Sequence, residues 1–175
     1  MFDLTHIISG KIRLRLLMKF FLNPNNQVYL RGLAKEFDVS TNTVRQELEK
    51  LSDSGVIESS REKQKRLFKA NVKHPLYGSI RQMLLQYTGI ETIFEEVIHK
   101  IGDLNQVYLT GPLARGVDTT IVDLVVIGEV DKAYLHKLVS KAEEISGKKI
   151  RIAIYDESEW TMEHLNGMIY YKLLG

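Results

Sequence analysis

The sequence lacks several features that mark common kinds of protein chemistry. None of its 175 residues is cysteine, which excludes disulfides, thiolate metal sites and cysteine nucleophiles. It has no GxxxxGK(S/T) phosphate-binding loop and no serine–histidine pattern typical of a hydrolase. The histidines are scattered without the spacing of metal ligands: His6, His74, His99, His136 and His164. We therefore predict neither a metal site nor a cofactor.

Long uncharged apolar runs are also missing, which excludes a transmembrane helix. The apolar stretch Leu14–Leu22 carries Arg15 and Lys19, and no small-residue cleavage site follows it. It therefore predicts an amphipathic helix and not a signal peptide. With 44% hydrophobic and 26% charged residues, the composition is that of an ordinary globular protein. We expect a cytoplasmic protein that does not contact a membrane.

Charge is distributed unevenly along the chain, although the formal net charge is only +2. Residues 1–74 contain 14 Lys and Arg against 8 Asp and Glu, a net charge of +6. Residues 75–175 contain 10 against 14, a net charge of −4. A basic half beside an acidic half indicates two modules, of which only the first favours a polyanionic partner.

The N-terminal module has the pattern of a helix-turn-helix. Apolar spacing predicts helices over residues 9–22, 31–37 and 41–53, with a short strand over residues 28–30. Ser40 is a suitable N-cap for the last helix, because its hydroxyl can accept a backbone N–H of the first turn. Three residues at i, i+4 and i+7 turn one face of that helix inward: Val44, Leu48 and Leu51. Two short helices joined by a tight turn form the motif whose second helix enters a DNA major groove.

A basic hairpin follows these helices. Strands are predicted over residues 56–59 and 67–71, with a polar, basic tip between them. A helix-turn-helix followed by such a hairpin is a winged helix. The helix residues predicted to contact phosphates or base edges are Ser40, Thr41, Asn42, Thr43, Arg45 and Gln46. The wing residues predicted to contact phosphates are Arg61, Lys63, Lys65 and Arg66.

Three acidic residues argue against DNA contact, because Glu47, Glu49 and Glu62 would repel phosphate. Basic hairpin tips are also often merely solvated, and winged helices also serve as protein-interaction modules. A DNA-binding surface is the favoured interpretation, and a protein-interaction surface is the alternative.

The predicted domain organisation is a DNA-binding domain over residues 1–74, a connector helix over 75–89 and a second domain over 90–175. Pro75 suits the first turn of the connector helix. The connector carries an apolar stripe formed by Leu76, Ile80, Met83, Leu84 and Tyr87. Such a stripe is either a packing face for one domain or a dimer seam. Because winged-helix regulators commonly read paired half-sites, we favour a contribution to a homodimer.

The second domain alternates helix and strand patterns. Helices are predicted over residues 90–101, 132–146 and 159–174, with a turn into a short helix over residues 111–115. Strands are predicted over residues 106–110, 121–127 and 149–155. This order is typical of a small mixed sheet covered by helices. The whole chain is therefore expected to be a two-domain protein of the α+β or α/β class.

The chain resembles a family of prokaryotic regulators in which a winged helix-turn-helix is fused to a minimal nucleotidyltransferase-like domain of the polymerase-beta superfamily. The matching residues run almost end to end, and those at the join between the two modules are the most distinctive. They are Leu33-Ala34, Val39-Ser40-Thr41-Asn42-Thr43-Val44, Leu48-x-x-Leu51-x-x-x-Gly55-Val56-Ile57, Ala70-Asn71-Val72-Lys73-His74-Pro75-Leu76-Tyr77, Gly111-x-x-Ala114-Arg115-Gly116, Asp123-Leu124-Val125-Val126-Ile127-Gly128 and Glu157-x-Glu159-Trp160.

The resemblance implies an active-site signature of Gly-Ser followed by Asp-x-Asp, and this chain departs from it. Gly111 and Asp123 remain as vestiges, but Pro112 stands where serine belongs and Ile121 where the first aspartate belongs. The third ligand position is most plausibly Arg151, whose charge would repel Mg²⁺. A single carboxylate rarely holds catalytic Mg²⁺. We therefore predict that no residue is catalytic. Asp123 is instead predicted to be a structural acid paired with Arg115 or Arg151.

Asp118 is a possible substitute for the missing aspartate. On an extended strand it would face away from Asp123, because the two lie five residues apart. Only curvature of the loop would bring the two carboxylates together.

The favoured function is a DNA-binding transcriptional regulator, whose degenerate second domain acts as a sensor or dimerisation module. Its predicted partners are double-stranded DNA, a second copy of the chain, and a nucleotide or protein effector. One alternative is an active Mg²⁺-dependent nucleotidyltransferase that uses its winged helix to recruit a substrate. Another is an interaction scaffold or an antitoxin-like partner.

Overall fold

A computed structural model describes residues 5–62, 65–101 and 104–175. The chain divides into two compact units, an N-terminal unit, Met1–Leu84, and a C-terminal unit, Leu85–Gly175. The division falls inside the segment predicted as a connector. In the described ranges, no helix has both the length and the apolar character needed to cross a lipid bilayer.

The N-terminal unit combines helices with a three-stranded antiparallel sheet. Its elements are α1 (Thr5–Ile8), α2 (Lys11–Phe21), β1 (Val28–Tyr29), α3 (Leu30–Phe37), α4 (Thr41–Asp53), β2 (Ile57–Glu62) and β3 (Lys65–Ala70), followed by α5 (Tyr77–Thr88), which crosses into the next unit. The strand order is β1-β3-β2. This arrangement is the predicted winged helix-turn-helix, with β2 and β3 as the wing.

The core of this unit is formed by the apolar faces of α2 and α4. Phe20 and Phe21 are fully buried on α2, and Val44 and Leu48 are fully buried on α4. The i, i+4 spacing of the α4 residues gives that helix one apolar face and leaves its polar residues on the other. Burying each of these large side chains stabilises the fold by about 1.5–3 kcal/mol.

The C-terminal unit is a four-stranded mixed sheet with helices. After the end of α5 come α6 (Ile90–Ile93), a π-helical turn (Phe94–Ile98), β4 (Leu104–Thr110), α7 (Gly111–Ala114), β5 (Ile121–Gly128), α8 (Lys132–Ser146), β6 (Lys149–Tyr155), a 3₁₀ turn (Met162–Leu165) and β7 (Tyr171–Leu174). The strand order is β6-β5-β4-β7. Strands β5 and β6 are parallel, and the other pairs are antiparallel. The mixed sheet is therefore as predicted.

The two faces of this sheet are covered differently. Alternate residues of β5 such as Val122, Leu124 and Val126 are almost fully buried on one face. On the other face, Tyr108, Val125 and Ile127 pack with Leu165 and with the partly buried Tyr155, Trp160 and Tyr170. The chain segment after β6 therefore forms a small aromatic layer over part of the second face.

The prediction of a helix over residues 159–174 is wrong. The segment contains the 3₁₀ turn, an extended Asn166, a left-handed Gly167 with φ of 77° and then β7. Glycine at positive φ interrupts a helix, and β7 gains backbone hydrogen bonds by pairing with β4. The apolar residues of this segment, whose spacing suggested a helix, instead pack in the aromatic layer.

Candidate functional sites

Helix α4 presents a polar face that begins at a capped N-terminus. The Ser40 hydroxyl accepts a hydrogen bond from the backbone N–H of Thr43 at 3.1 Å, as the sequence predicts. The predicted contact residues on this helix are all exposed: Thr41, Asn42, Thr43, Arg45 and Gln46. Their side chains can therefore reach a ligand without any change in the packing of the helix.

Basic residues of α2 fix the turn that precedes α4. Arg15 donates a hydrogen bond to the backbone carbonyl of Phe37 at 3.0 Å, and its guanidinium lies 4.0 Å from the centre of the Phe37 ring. Lys19 is buried and donates to both carboxylate oxygens of Glu36 at 2.9 Å. Asp38 then adopts a left-handed conformation with φ of 55° and ends α3. These contacts hold α2 against the C-terminal end of α3, where the turn of the motif begins.

Glu47 is one of the three acidic residues that argued against DNA contact, and basic side chains balance its charge. It accepts hydrogen bonds from Arg13 at 2.8 Å and from Lys50 at 2.7 Å. Partial burial raises the pKa of Glu47, but the hydrogen bonds from Arg13 and Lys50 outweigh it and the pKa lies below its ordinary value. Two cations therefore balance this carboxylate.

The wing carries exposed basic side chains on both of its strands. Arg61 and Arg66 lie opposite each other across the β2–β3 ladder, and Lys65 follows the tip; all three are exposed. The Arg66 Nε donates to the Ser59 hydroxyl at 3.1 Å, which orients the guanidinium. Lys63, the fourth predicted wing residue, lies outside the described residues.

Glu62, a second acidic residue that argued against DNA contact, also accepts a hydrogen bond. The Tyr29 hydroxyl donates a hydrogen bond to its carboxylate. This bond, followed by slight burial, raises the pKa of Tyr29. The Lys65 ammonium lies 5.6 Å from the centre of the Tyr29 ring, so β1 and the wing share one contact cluster. Glu49 is exposed on α4, and no partner for it is seen in the described ranges.

In the C-terminal unit, Asp123 lies in a polar row across three strands. Thr110 on β4 is paired with Asp123 on β5, which is paired with Arg151 on β6. Cross-strand partners share one face of a sheet, so these three side chains lie side by side. The Arg151 Nε donates to the Asp123 carboxylate at 2.6 Å. The predicted pairing of Asp123 is therefore confirmed with Arg151 and not with Arg115.

Gly111 provides the space for the Asp123 carboxylate. A Cβ atom at Gly111 would lie 2.2 Å from Asp123 Oδ2, and the glycine has a φ of 66°. Both the close approach and the left-handed backbone require glycine. Gly111 and Asp123 are thus matched, because the glycine leaves the space that the carboxylate fills.

The Asp118 carboxylate contacts Lys148 and Tyr87. Lys148 is buried and donates hydrogen bonds to the Thr119 carbonyl at 2.5 Å and to the Asp118 carboxylate at 3.3 Å. Tyr87 donates to the other Asp118 oxygen at 3.3 Å. Within the described ranges, no three His, Asp or Glu side chains come together as a possible metal site.

An open groove of about 360 Å³ lies over the polar row. Its floor contains Thr110, Asp123 and Arg151, and its wall contains Tyr155, His164 and Met168. Sequence reasoning missed the wall residues and treated His164 as an isolated surface histidine. Tyr155 ends β6, whereas no spacing signal marks His164 and Met168, because the non-helical segment after β6 brings them to the sheet.

Comparisons with known proteins identify the N-terminal unit, which contains α4 and the wing. Residues 13–63 match the family described as "HTH domain". No curated protein matches the chain.

Three solved structures resemble part of the chain. Reduced HlyU from Vibrio cholerae is 17% identical, with a TM-score of 0.39, over 48% of this chain and 83% of that one. A possible transcriptional regulator for arsenical resistance is 18% identical, with a TM-score of 0.35, over 50% and 84%. A mutant of Lactococcus lactis ZitR in apo form is 19% identical, with a TM-score of 0.38, over 53% and 68%. The family match over residues 13–63, together with the fold of the N-terminal unit, establishes a winged helix-turn-helix domain.

Proposed function

We propose that the protein is a DNA-binding transcriptional regulator and not an enzyme. In this proposal α4 enters the major groove of duplex DNA, and the wing contacts the adjacent phosphates. The solved structures that resemble part of the chain include a possible transcriptional regulator for arsenical resistance. As a prokaryotic regulator it would act in the cytoplasm, where the chromosome lies.

The observation that carries the proposal is the exposed face of α4 beside a basic wing in one unit. Arg45 and Gln46 are exposed on the helix, and Arg61, Lys65 and Arg66 are exposed on the wing. Arginine and glutamine side chains offer the hydrogen-bond geometry that reads base edges, and arginine and lysine neutralise phosphates. Glu47 and Glu62, which would oppose DNA, are engaged by cations or by Tyr29.

The test is fluorescence anisotropy with a labelled random-sequence duplex, followed by selection of bound sequences from a random pool. We expect Arg45→Ala to weaken binding roughly tenfold or more, since a base or phosphate contact is lost. Lys137→Ala is the matched control, because it removes an exposed cation from α8 in the C-terminal unit. Unchanged affinity in Arg45→Ala would argue instead for a protein-interaction module.

The proposal includes a homodimer. Exposed apolar side chains of the N-terminal unit, Ile7, Val72 and Leu76, offer surface for a second copy. Of the predicted connector stripe, Leu76, just before α5, is exposed, whereas Leu84 on α5 is fully buried and belongs to the core. Sedimentation at micromolar concentration is expected to give the mass of two chains. A mass of one chain would remove the dimer from the proposal and leave DNA binding to be judged separately.

The C-terminal unit is proposed to be a nucleotidyltransferase-like domain that has lost catalysis and serves as a sensor or dimerisation module. Pro112 has no backbone N–H to donate to a phosphate, and Ile121 offers no metal ligand. Asp123 is engaged by Arg151. Incubation with Mg²⁺ and labelled ATP is therefore expected to give no nucleotidylated product. A product that disappears in Asp123→Ala would establish the enzyme and remove this part of the proposal.

A further inference from the structure

The groove over Thr110, Asp123 and Arg151 has the chemistry of a small-molecule site. We propose that it binds a planar aromatic acid, meaning an aromatic ring that carries one carboxylate or one phosphate, without a metal ion. The site lies entirely within the C-terminal unit and is independent of the DNA-binding proposal. Its volume of about 360 Å³ falls in the range of small-molecule pockets.

Arg151 supplies the anion-binding group. Its Nε is used by Asp123, whereas its two terminal nitrogens make no hydrogen bond within the described part of the chain. Its side chain is 67% exposed, and that of Asp123 is only 15% exposed. Arg151 is therefore the more accessible of the two charged groups that line the groove. The two terminal nitrogens still carry four N–H donors, and one from each can pair with the two oxygens of one carboxylate or phosphate.

The wall of the groove supplies the ring-binding surface. The His164 ring lies 4.6 Å from the Tyr155 ring and 5.4 Å from the Trp160 ring, nearly parallel to the latter at 15°. His164 is exposed, and Met168 is 55% exposed on the same wall. Stacked rings and a thioether are favourable neighbours for a planar aromatic group. The Thr161–His164 capping box fixes the start of the turn that carries the histidine.

The charges in the groove select against a polyanion. Among the described lining residues, Arg151 is the only one with a permanent positive charge, and Asp123 lies beside it. A triphosphate would bring several negative charges to one cation and one carboxylate, whereas a single acidic group needs only one fork. The size and charge of the groove thus point to a compact acid.

The experiment is ligand-observed saturation-transfer NMR in the presence of EDTA, paired with fluorescence of Trp160, which is the only tryptophan. Benzoate and phenyl phosphate are the two probes, and they distinguish a carboxylate from a phosphate ligand. Benzamide lacks the charge, acetate lacks the ring, and both are expected to bind more weakly than the better of the two probes. Mg²⁺–ATP, added to a separate sample without EDTA, tests the polyanion. No saturation transfer to benzoate or phenyl phosphate, or preferential binding of Mg²⁺–ATP, would overturn the proposal.

Variants assign the binding to the groove. Arg151→Gln is expected to weaken binding of the better probe about tenfold or more, since a charge-assisted hydrogen bond is lost. The double variant Arg151→Gln with Asp123→Asn removes both charges without leaving an unpaired carboxylate, and it should lose binding equally. Lys137→Gln removes an exposed cation from α8, outside the groove lining, and should bind as the wild type does. Wild-type affinity in the folded double variant would contradict the assignment.

Discussion

The carboxylate of Asp123 lies against Gly111, close enough that a Cβ at position 111 would come within 2.2 Å of Asp123 Oδ2. The same carboxylate accepts a hydrogen bond from Arg151 on the neighbouring parallel strand at 2.6 Å. Asp123 is thus enclosed by a residue that gives it space and a residue that balances its charge. Gly111, Asp123 and Arg151 therefore form one structural unit in this chain.

This relationship predicts how substitutions at positions 111 and 123 combine. Gly111→Ala should lower the free energy of unfolding by more than the roughly 1–2 kcal/mol that a left-handed alanine costs, because its Cβ collides with Asp123. Gly147→Ala is the control: it has the same φ of 66° and no neighbour within 4 Å of the added Cβ. Urea denaturation of the single and double variants measures the difference.

The Asp123→Ala background separates the two contributions. There the excess cost of Gly111→Ala should shrink toward the cost of Gly147→Ala, since the colliding carboxylate is gone. Equal costs of Gly111→Ala in both backgrounds would show that the close approach does not matter.

A second prediction concerns two consecutive lysines with different environments. The Lys148 side chain is 3% exposed and donates to Asp118 and Thr119, whereas the Lys149 side chain is 76% exposed and contacts Glu143. Lys148→Ala should lower the free energy of unfolding by about 1.5–3 kcal/mol, the usual contribution of hydrogen bonds to a charged group. Lys149→Ala should cost less than about 1 kcal/mol. Urea denaturation with a C-terminal-unit probe such as Trp160 fluorescence gives both values. Similar losses for both variants would contradict the assigned role of Lys148.

A third prediction follows from the lowered pKa of Glu47. Hydrogen bonds from Arg13 and Lys50 hold this pKa below the ordinary 4.5 in the folded state. The ionised carboxylate therefore contributes stability above pH 4.5, and this contribution disappears as the pH falls through the folded pKa. The stability difference between wild type and Glu47→Gln should be largest near neutral pH and smallest in acid.

Urea denaturation from neutral pH down to the lowest pH at which the protein folds measures this difference. Glu49→Gln is the matched control on the same helix, because Glu49 is exposed and has no ion pair in the described ranges. Its effect should remain small throughout. A stability difference between wild type and Glu47→Gln that grows as the pH falls would contradict the predicted stabilisation by the ionised carboxylate.

Much of the fold could be predicted from the sequence where local signals agree with tertiary packing. The limits of α4, Thr41–Asp53, and of α8, Lys132–Ser146, are confirmed, because a capping residue and regular apolar spacing mark both helices. Strand β6, Lys149–Tyr155, is confirmed through its alternating pattern. In each case the local preference and the final environment favour the same structure.

The prediction was wrong where long-range pairing decided the structure. The apolar residues between Glu159 and Leu174 suit a helix by spacing, but Gly167 interrupts it and β7 joins the sheet edge. The groove wall could not be predicted for the same reason, since His164 reaches the polar row only through this segment. The buried state of Lys148 was also invisible, because no sequence pattern distinguishes it from Lys149.

The measurement that tests the central claim most directly is the salt dependence of binding to a random-sequence duplex. The logarithm of the wild-type association constant should fall linearly with the logarithm of salt concentration, because bound phosphates release counterions. Replacing Arg61 and Arg66 by glutamine should reduce the magnitude of that slope by about 2, roughly one for each phosphate contact. The control replaces Lys132 and Lys137 by glutamine, which removes two exposed charges from the C-terminal unit, and should keep the wild-type slope. A wild-type slope near zero, or a slope unchanged by the wing substitutions, would contradict the account.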